Sequence, residues 1–263
     1  MFVIGELING MYRQVAAALA SRDAAFVVQL ARRQAAAGVD ALDLNCGPLS
    51  KDPVADMRWL VEVIQKDVRL PLCLDSTKQA AIEAGLAVCK NKAIINSTTA
   101  DDAKMKAYFE LAKKKDADLI ALTVDAKGVP QDKDRRLELA ARIIEAAVGQ
   151  DFEVSRLFLD PVLMPINVAQ AQLFVILEVI RELKVLAPEA RTLVGLSNIS
   201  QGSRDRRWIN RAFLLMAQAL GLDAAILDPL DTDLMKTLVA GDLVLNRNIY
   251  CDAYFDAYLK AKK

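Results

Sequence analysis

Eight short apolar runs, each followed by a longer amphipathic stretch, recur along the chain at intervals of roughly 20–40 residues. This alternation restricts the fold more than any other feature. The runs are Phe2–Gly5, Ala41–Leu44, Leu70–Leu74, Lys92–Ile95, Leu119–Thr123, Leu157–Leu159, Thr192–Leu196 and Ala224–Leu227. They are continuously apolar rather than alternating, the pattern of parallel strands buried on both faces. Between them the spacing predicts helices over Asp23–Ala36, Pro53–Gln65, Thr77–Cys89, Ala103–Asp116, Asp134–Gly149, Val168–Leu186, Trp208–Leu220 and Asp231–Ala240, with Tyr250–Leu259 closing the chain. No linker, low-complexity tract or repeat interrupts the series. The expectation is a single α/β domain over residues 1–263, a (β/α)8 TIM barrel. The second candidate is an open doubly wound sheet. No Gly-rich phosphate turn follows the first strand, which counts against its nucleotide-binding form.

Composition narrows the chemistry. The 34 basic and 34 acidic side chains balance, giving no field to attract nucleic acid or anionic lipid. No apolar run reaches the roughly 18–20 residues needed to cross a bilayer. Met1 leads directly into the apolar Phe2–Ile4, so no secretory or transit segment is expected, and the protein is read as soluble and cytoplasmic. The cysteines at 46, 73, 89 and 251 form no C-x-x-C pair. The chain has no histidine, the commonest general base and metal ligand. Its chemistry is therefore expected to run on carboxylates, amides, hydroxyls or a borrowed cofactor, with no bound metal.

A barrel delivers the C-terminal ends of all its strands to one face, where active sites are built. Here those ends carry Glu6 and Asn9, then Asp43 and Asn45, Asp75, Asn96, Thr123 and Asp125, Asp160, Ser197 and Asn198, and Asp228. Acceptors and amides dominate, and cations are scarce. The last two ends read SNISQGSRDRR and DPLDTD, unlike the glycine-rich turns that bind phosphate. Such a set suits a neutral ligand rich in donors, such as an aminopyrimidinone ring. Each residue also has an ordinary reading, because Asp and Asn after a strand often cap the next helix or start a turn. The loop Gln201–Arg207 sets Arg204, Arg206 and Arg207 against Asp205, which reads either as a solvated face or as a clamp for a carboxylate. Leu173–Leu186 has apolar residues on more than one helical face, for the core or for a dimer interface.

The segments ALDLN at 41–45, LCLDST at 72–77, INST at 95–98, LDP at 159–161 and GLSNIS at 195–200 resemble the pterin-binding methyltransferases of the dihydropteroate-synthase-like superfamily. IGELING at 4–10 and LNRNIYCD at 245–252 match as well. The likeness is greatest to the methyltetrahydrofolate:corrinoid/iron–sulfur protein methyltransferases and runs through the whole chain in order. It implies a (β/α)8 barrel, usually a homodimer, that moves the N5 methyl of methyltetrahydrofolate to Co(I) of a corrinoid. That corrinoid is held by a partner, the corrinoid/iron–sulfur protein, in the reductive acetyl-CoA (Wood–Ljungdahl) pathway. By resemblance, Asp75, Asn96 and Asp160 bind the pterin, and Asn198 lies near N5. Gly195, Ser197 and Gln201 share its loop, and Arg206 lies near the aminobenzoate-glutamate part of folate.

Two other readings stay open. A dihydropteroate synthase would need cations at its last two strand ends, where this chain has no Lys after the seventh and Asp228 after the eighth. A non-catalytic folate-binding module is the third. Methyl transfer from a tertiary amine is an in-line displacement, so N5 must be protonated or strongly hydrogen-bonded before it can leave. A carboxamide such as Asn198 can orient that proton but not supply it. The proton is expected from solvent or from a relay through Asp160 and Asp75.

Overall fold

Eight parallel strands close on themselves in sequence order, β1 to β8, with β1 paired to both β2 and β8. The computed structural model describes residues 1–260. In chain order the elements are β1 (Phe2–Asn9), α1 (Arg13–Ser21), α2 (Ala24–Ala36), β2 (Ala41–Asn45), α3 (Pro53–Ile64), β3 (Leu72–Asp75), α4 (Gln79–Val88) and β4 (Ala93–Thr99). They continue with α5 (Asp102–Lys114), β5 (Asp118–Leu122), α6 (Lys133–Gly149), β6 (Leu157–Asp160), α7 (Ile166–Ala169) and α8 (Gln172–Leu186). The last are β7 (Arg191–Gly195), α9 (Arg206–Ala219), β8 (Ala224–Leu227), α10 (Thr232–Val244) and α11 (Tyr254–Lys260). The (β/α)8 barrel expected from the alternation is the fold. Among the described residues no helix is long and apolar enough to cross a membrane.

The barrel has two apolar compartments. Inside it, Ile4, Ala41, Cys73, Ile94, Ile120, Phe158, Leu193 and Ala224 form a buried floor, one residue from each strand. Between strands and helices a larger core wraps the outside, built from side chains such as Leu42, Met57, Leu60, Phe109, Ile143 and Leu214. At the lower end of the barrel, Arg191 lies over the rings of Phe2 and Phe158, at 5.5 and 5.1 Å, and adds to the seal.

Aspartates start many of the helices. Asp23, Asp52, Asp101, Asp132 and Asp231 each accept a backbone N–H from the first turn of α2, α3, α5, α6 and α10. Each such cap contributes about 1 kcal/mol. None of these five is a strand-end residue.

Several boundaries differ from the sequence expectation. β1 runs on to Asn9 rather than stopping at Gly5, with a register shift against β2 between Gly5 and Ile8. β4 continues through Asn96 to Thr99, also with a shift, between Asn96 and Thr98. β7 stops at Gly195, and Leu196–Ser200 winds into a 3-10 turn, so Asn198 lies in that turn and not in a strand. The helix expected over Val168–Leu186 is two pieces, α7 and α8. α1 has no counterpart in the sequence reading. It ends on Arg22 in the left-handed conformation, whose N–H closes onto Ala18 and Leu19. The closing helix begins at Tyr254 rather than Tyr250.

Candidate active site at the barrel mouth

Side chains along a strand alternate faces, so the residue two beyond each floor position points into the barrel again, one level higher. Applied to the floor, this step gives Glu6, Asp43, Asp75, Asn96, Leu122, Asp160, Gly195 and Ile226. Five of the eight are carboxylic acids or a carboxamide. The polar site is thus the level at which the barrel's inward positions stop being apolar, directly above a dry floor.

Three of the four residues that resemblance assigned to the pterin stand in this level: Asp75, Asn96 and Asp160. None caps a helix. The N-cap positions of α4 and α9 are Lys78 and Asp205, neither with a side-chain cap, so the capping readings of Asp75 and Asn198 are set aside. The fourth residue, Asn198, arrives differently. Gly195 leaves a gap in the ring, and a Cβ built there would lie 2.9 Å from the Asn198 side-chain nitrogen. The carboxamide of Asn198, otherwise exposed on its turn, therefore folds back over the position that β7 leaves empty.

A second residue holds each of the polar groups. Asn45 Nδ2 donates to Asp75 Oδ2 at 2.6 Å, while its own Oδ1 accepts the Gly47 N–H at 2.7 Å. Asn96 Nδ2 donates to Asp43 Oδ1 at 3.2 Å, which leaves the Asn96 oxygen as the free end of that amide. Asp160 Oδ1 accepts the Val162 N–H at 2.7 Å. Ser197 Oγ donates to Glu6 Oε1 at 2.6 Å. Arg206 braces the Asn198 turn, with Nε to Ser200 Oγ at 3.1 Å and Nη2 to the Ser197 carbonyl at 3.2 Å. That bracing role is one the sequence reading does not contain. Gln201 is exposed and closes the turn through its N–H to the Asn198 carbonyl, at 3.2 Å.

Burial loads this ring with protons. It pushes Asp160 up to about 7, against the opposing pull of the Val162 N–H and the Arg136 charge. Glu6 is also pushed up to about 7 by burial, with the nearby Asp228 carboxylate adding to the rise and Ser197 and Arg206 opposing it. Asp43 is raised well above the usual carboxylate range by burial and then by the charge of Asp75. Asp75 is raised by burial, opposed by Asn45. Near neutral pH the ring therefore holds both neutral and ionised carboxyls, the condition for acid–base work without histidine.

Glu6, Asp43 and Asn45 were visible in the sequence as strand-end groups but were not nominated for the site. Their signal was the period of two. Glu6 stands two residues after Ile4, and Asp43 two after Ala41, so both face inward. Beside Asp75 a cavity of about 530 Å³ opens at the mouth, lined in part by Asn45, Gly47, Thr77 and Lys78. Its wall depends on a close approach of two loops: a Cβ on Gly10 would fall 2.1 Å from the Cys46 carbonyl oxygen. The thiols of Cys46 and Cys73 are both pushed up by burial and are held as thiols, not thiolates.

Comparison with known proteins places the chain among relatives. The methylcorrinoid:tetrahydrofolate methyltransferase of Eubacterium limosum is 28% identical over 264 residues, spanning 100% of this chain and 97% of that protein. Methionine synthase of Mycobacterium tuberculosis is 31% identical over 242 residues, which is 86% of this chain but 20% of that longer protein. In three dimensions the chain matches a Yersinia pestis dihydropteroate synthase with a pterine-sulfa conjugate at a TM-score of 0.70 and 16% identity, covering 94% of each chain. A Coxiella burnetii dihydropteroate synthase in complex with pteroic acid matches at 0.70 and 12% identity, again covering 94% of both. At such identities these structures speak to the fold alone. The model of the pterin binding enzyme family matches residues 12–228, a stretch that takes in β2 to β8 and every ring position except Glu6. A closed barrel whose first polar level is a ring of braced carboxyls and amides is thus the form that family takes here, and the chain belongs to the pterin-binding enzymes.

Proposed function

We propose that the protein is a methyltransferase that moves the N5 methyl group of methyltetrahydrofolate to Co(I) of a corrinoid carried by a separate corrinoid/iron–sulfur protein, as a step of the reductive acetyl-CoA pathway. The observation that carries this reading is the full-length similarity to a methylcorrinoid:tetrahydrofolate methyltransferase, joined to an amide, Asn198, lying over the gap at Gly195. The relative's name writes the transfer from corrinoid to folate. The displacement is the same when run in reverse, so its direction is a matter of driving force.

In this reading Asp75, Asn96 and Asp160 hold the aminopyrimidinone edge through its donors. The oxygen of Asn96 accepts, because its nitrogen is committed to Asp43. Asn198 lies beside N5 and stabilises the protonated amine, a preorganised hydrogen bond of the kind that contributes about 10²–10³ in rate. The nucleophile belongs to the partner, so no general base is required of this chain. Arg206 braces the Asn198 turn through Nε and Nη2, and in this reading its exposed guanidinium also faces the folate tail. Homodimer formation is part of the proposal, and Phe174 and Val185, exposed on α8 opposite its core face, suit that contact. No Lys follows β7 and Asp228 follows β8, which favours methyl transfer over dihydropteroate synthesis, a reaction that must hold a pyrophosphate leaving group.

Glu6 supplies what Asn198 lacks. It is a carboxyl that keeps its proton up to about pH 7, bonded to Ser197 next to Asn198. Glu6→Gln is expected to slow transfer at pH 7 by roughly tenfold or more, a modest share of the usual general-acid contribution. It also has a stability signature. A carboxyl raised from its ordinary range to about 7 favours the folded state at low pH, and that support is lost as pH rises through about 7. Denaturant melts should therefore show Glu6→Gln gaining stability relative to wild type between pH 4 and pH 8. A parallel pH dependence in the two proteins would remove Glu6 as a proton store.

The activity is tested by mixing the protein with methyltetrahydrofolate and a reduced corrinoid, either free or on its carrier protein, and following the loss of Co(I) absorbance. Formation of methyl-cobalt supports the reading. No methyl-cobalt with either acceptor overturns it.

A further inference from the structure

We propose that Arg136 is a positioning residue for Asp160, clamping the peptide groups on both sides of Val162 so that the Asp160 carboxyl is held in one orientation. The proposal rests on the pterin-binding reading of Asp160. Arg136 lies on the inner stripe of α6 with Leu139, Ala140, Ile143 and Ala147, and its side chain is fully buried. A guanidinium on a core-facing stripe is costly unless its donors are used. No direct ion pair to Arg136 is found among the described residues; Nη1 goes to the chain just beyond Asp160 and Nη2 to α8, while Nε is buried with no hydrogen-bond partner. Nη1 donates to the carbonyl of Pro161 and, at 3.4 Å, to that of Val162, while Nη2 donates to Gln172 Oε1 at 3.0 Å.

The geometry makes this contact directional. The Pro161 carbonyl and the Val162 N–H belong to one planar peptide group. Arg136 grips the oxygen end, and Asp160 Oδ1 accepts from the nitrogen end at 2.7 Å. Val162 itself sits at a φ of 64°, in the left-handed region where a β-branched residue is a clear outlier. Holding such a residue there requires the surroundings to fix it. Arg136 does so by gripping the carbonyls before and after the strained torsion. A donor on the carbonyl also polarises the same peptide's N–H, strengthening its bond to the carboxylate.

Charge acts in the same sense. The Arg136 charge and the Val162 N–H are the influences that oppose burial at Asp160. Asp160 and Asp132, the latter capping α6, are the carboxylates whose charges act on Arg136. Removing the guanidinium therefore takes away both the restraint and the field, and the Asp160 carboxyl holds its proton to higher pH.

The test uses the whole protein and three variants: Arg136→Gln, Arg136→Lys and Gln172→Leu. Two readouts are taken. The first is the titration midpoint of the Asp160 carboxyl in ligand-free protein, by infrared difference spectroscopy with Asp160→Asn as the assignment control. The second is tetrahydrofolate affinity by calorimetry. Arg136→Gln is expected to move the midpoint upward and to weaken tetrahydrofolate at least about tenfold, the loss of one good hydrogen bond to a charged group. Arg136→Lys keeps the charge and should restore most of the midpoint. Gln172→Leu, a milder change that keeps the guanidinium, should move both readouts the same way by less, about threefold in affinity. A wild-type midpoint and affinity in Arg136→Gln overturn the proposal. If that variant does not fold, unchanged values in Gln172→Leu overturn it. Wild-type protein that binds no tetrahydrofolate would refute the functional reading instead, while the Asp160 midpoint still decides whether the clamp exists.

Discussion

Asn198→Ala is expected to slow methyl transfer by at least about a hundredfold, the cost of one preorganised hydrogen bond at a reacting centre. Tetrahydrofolate affinity should change by no more than about threefold, because on the proposed reading the pterin edge is held by Asp75, Asn96 and Asp160 rather than by Asn198. The structure adds a companion that leaves Asn198 in place. In Gly195→Ala the new methyl would fall 2.9 Å from the Asn198 nitrogen, closer than non-bonded atoms approach, and so would push the carboxamide away. A rate close to that of Asn198→Ala, with near-normal binding, is the expected result. Both are read by single-turnover decay of Co(I) at saturating methyltetrahydrofolate. A near-wild-type rate in Asn198→Ala would return that residue to a role in the turn alone.

Asp75→Ala should act on binding rather than on rate. The carboxyl is anchored by Asn45 at 2.6 Å and caps no helix. On the proposed reading its loss therefore removes a ligand contact, and it orphans the Asn45 amide with little effect on α4. A charge-assisted bond contributes about 1.5–3 kcal/mol, so affinity for tetrahydrofolate should fall by roughly 10- to 100-fold. Calorimetry read beside a thermal melt checks this. Unchanged affinity in a protein with an unchanged melt would take Asp75 out of the ligand site.

Much of this arrangement was legible before any coordinates. The eight apolar runs were placed within a few residues, because parallel strands buried on both faces leave a strong signature. The failures have separate causes. Glu6 falls outside the first apolar run because a carboxyl breaks it; at an inward position on the last level of a barrel it is instead the beginning of the site. Asn198 was put at a strand end, and no rule of periodicity announces a 3-10 turn that folds an amide back over a glycine. The break between α7 and α8 falls at Gln170–Ala171, where neither Pro nor Gly gives warning. Arg136 carried a signal that went unused: its spacing from Leu139, Ala140, Ile143 and Ala147 put a cation on the buried stripe of an otherwise ordinary helix.

The sealed floor of the barrel has a consequence for protons. Ile4, Ile94, Phe158 and their neighbours close the barrel from below with apolar side chains, so water and protons enter by the upper mouth, which on the proposed reading they share with the folate. On the reading proposed here a corrinoid protein covers that mouth during transfer. With that mouth shut, the site works from whatever protons it took in beforehand. Carboxyls set near neutrality, as Glu6 and Asp160 are, are the groups able to bring one aboard.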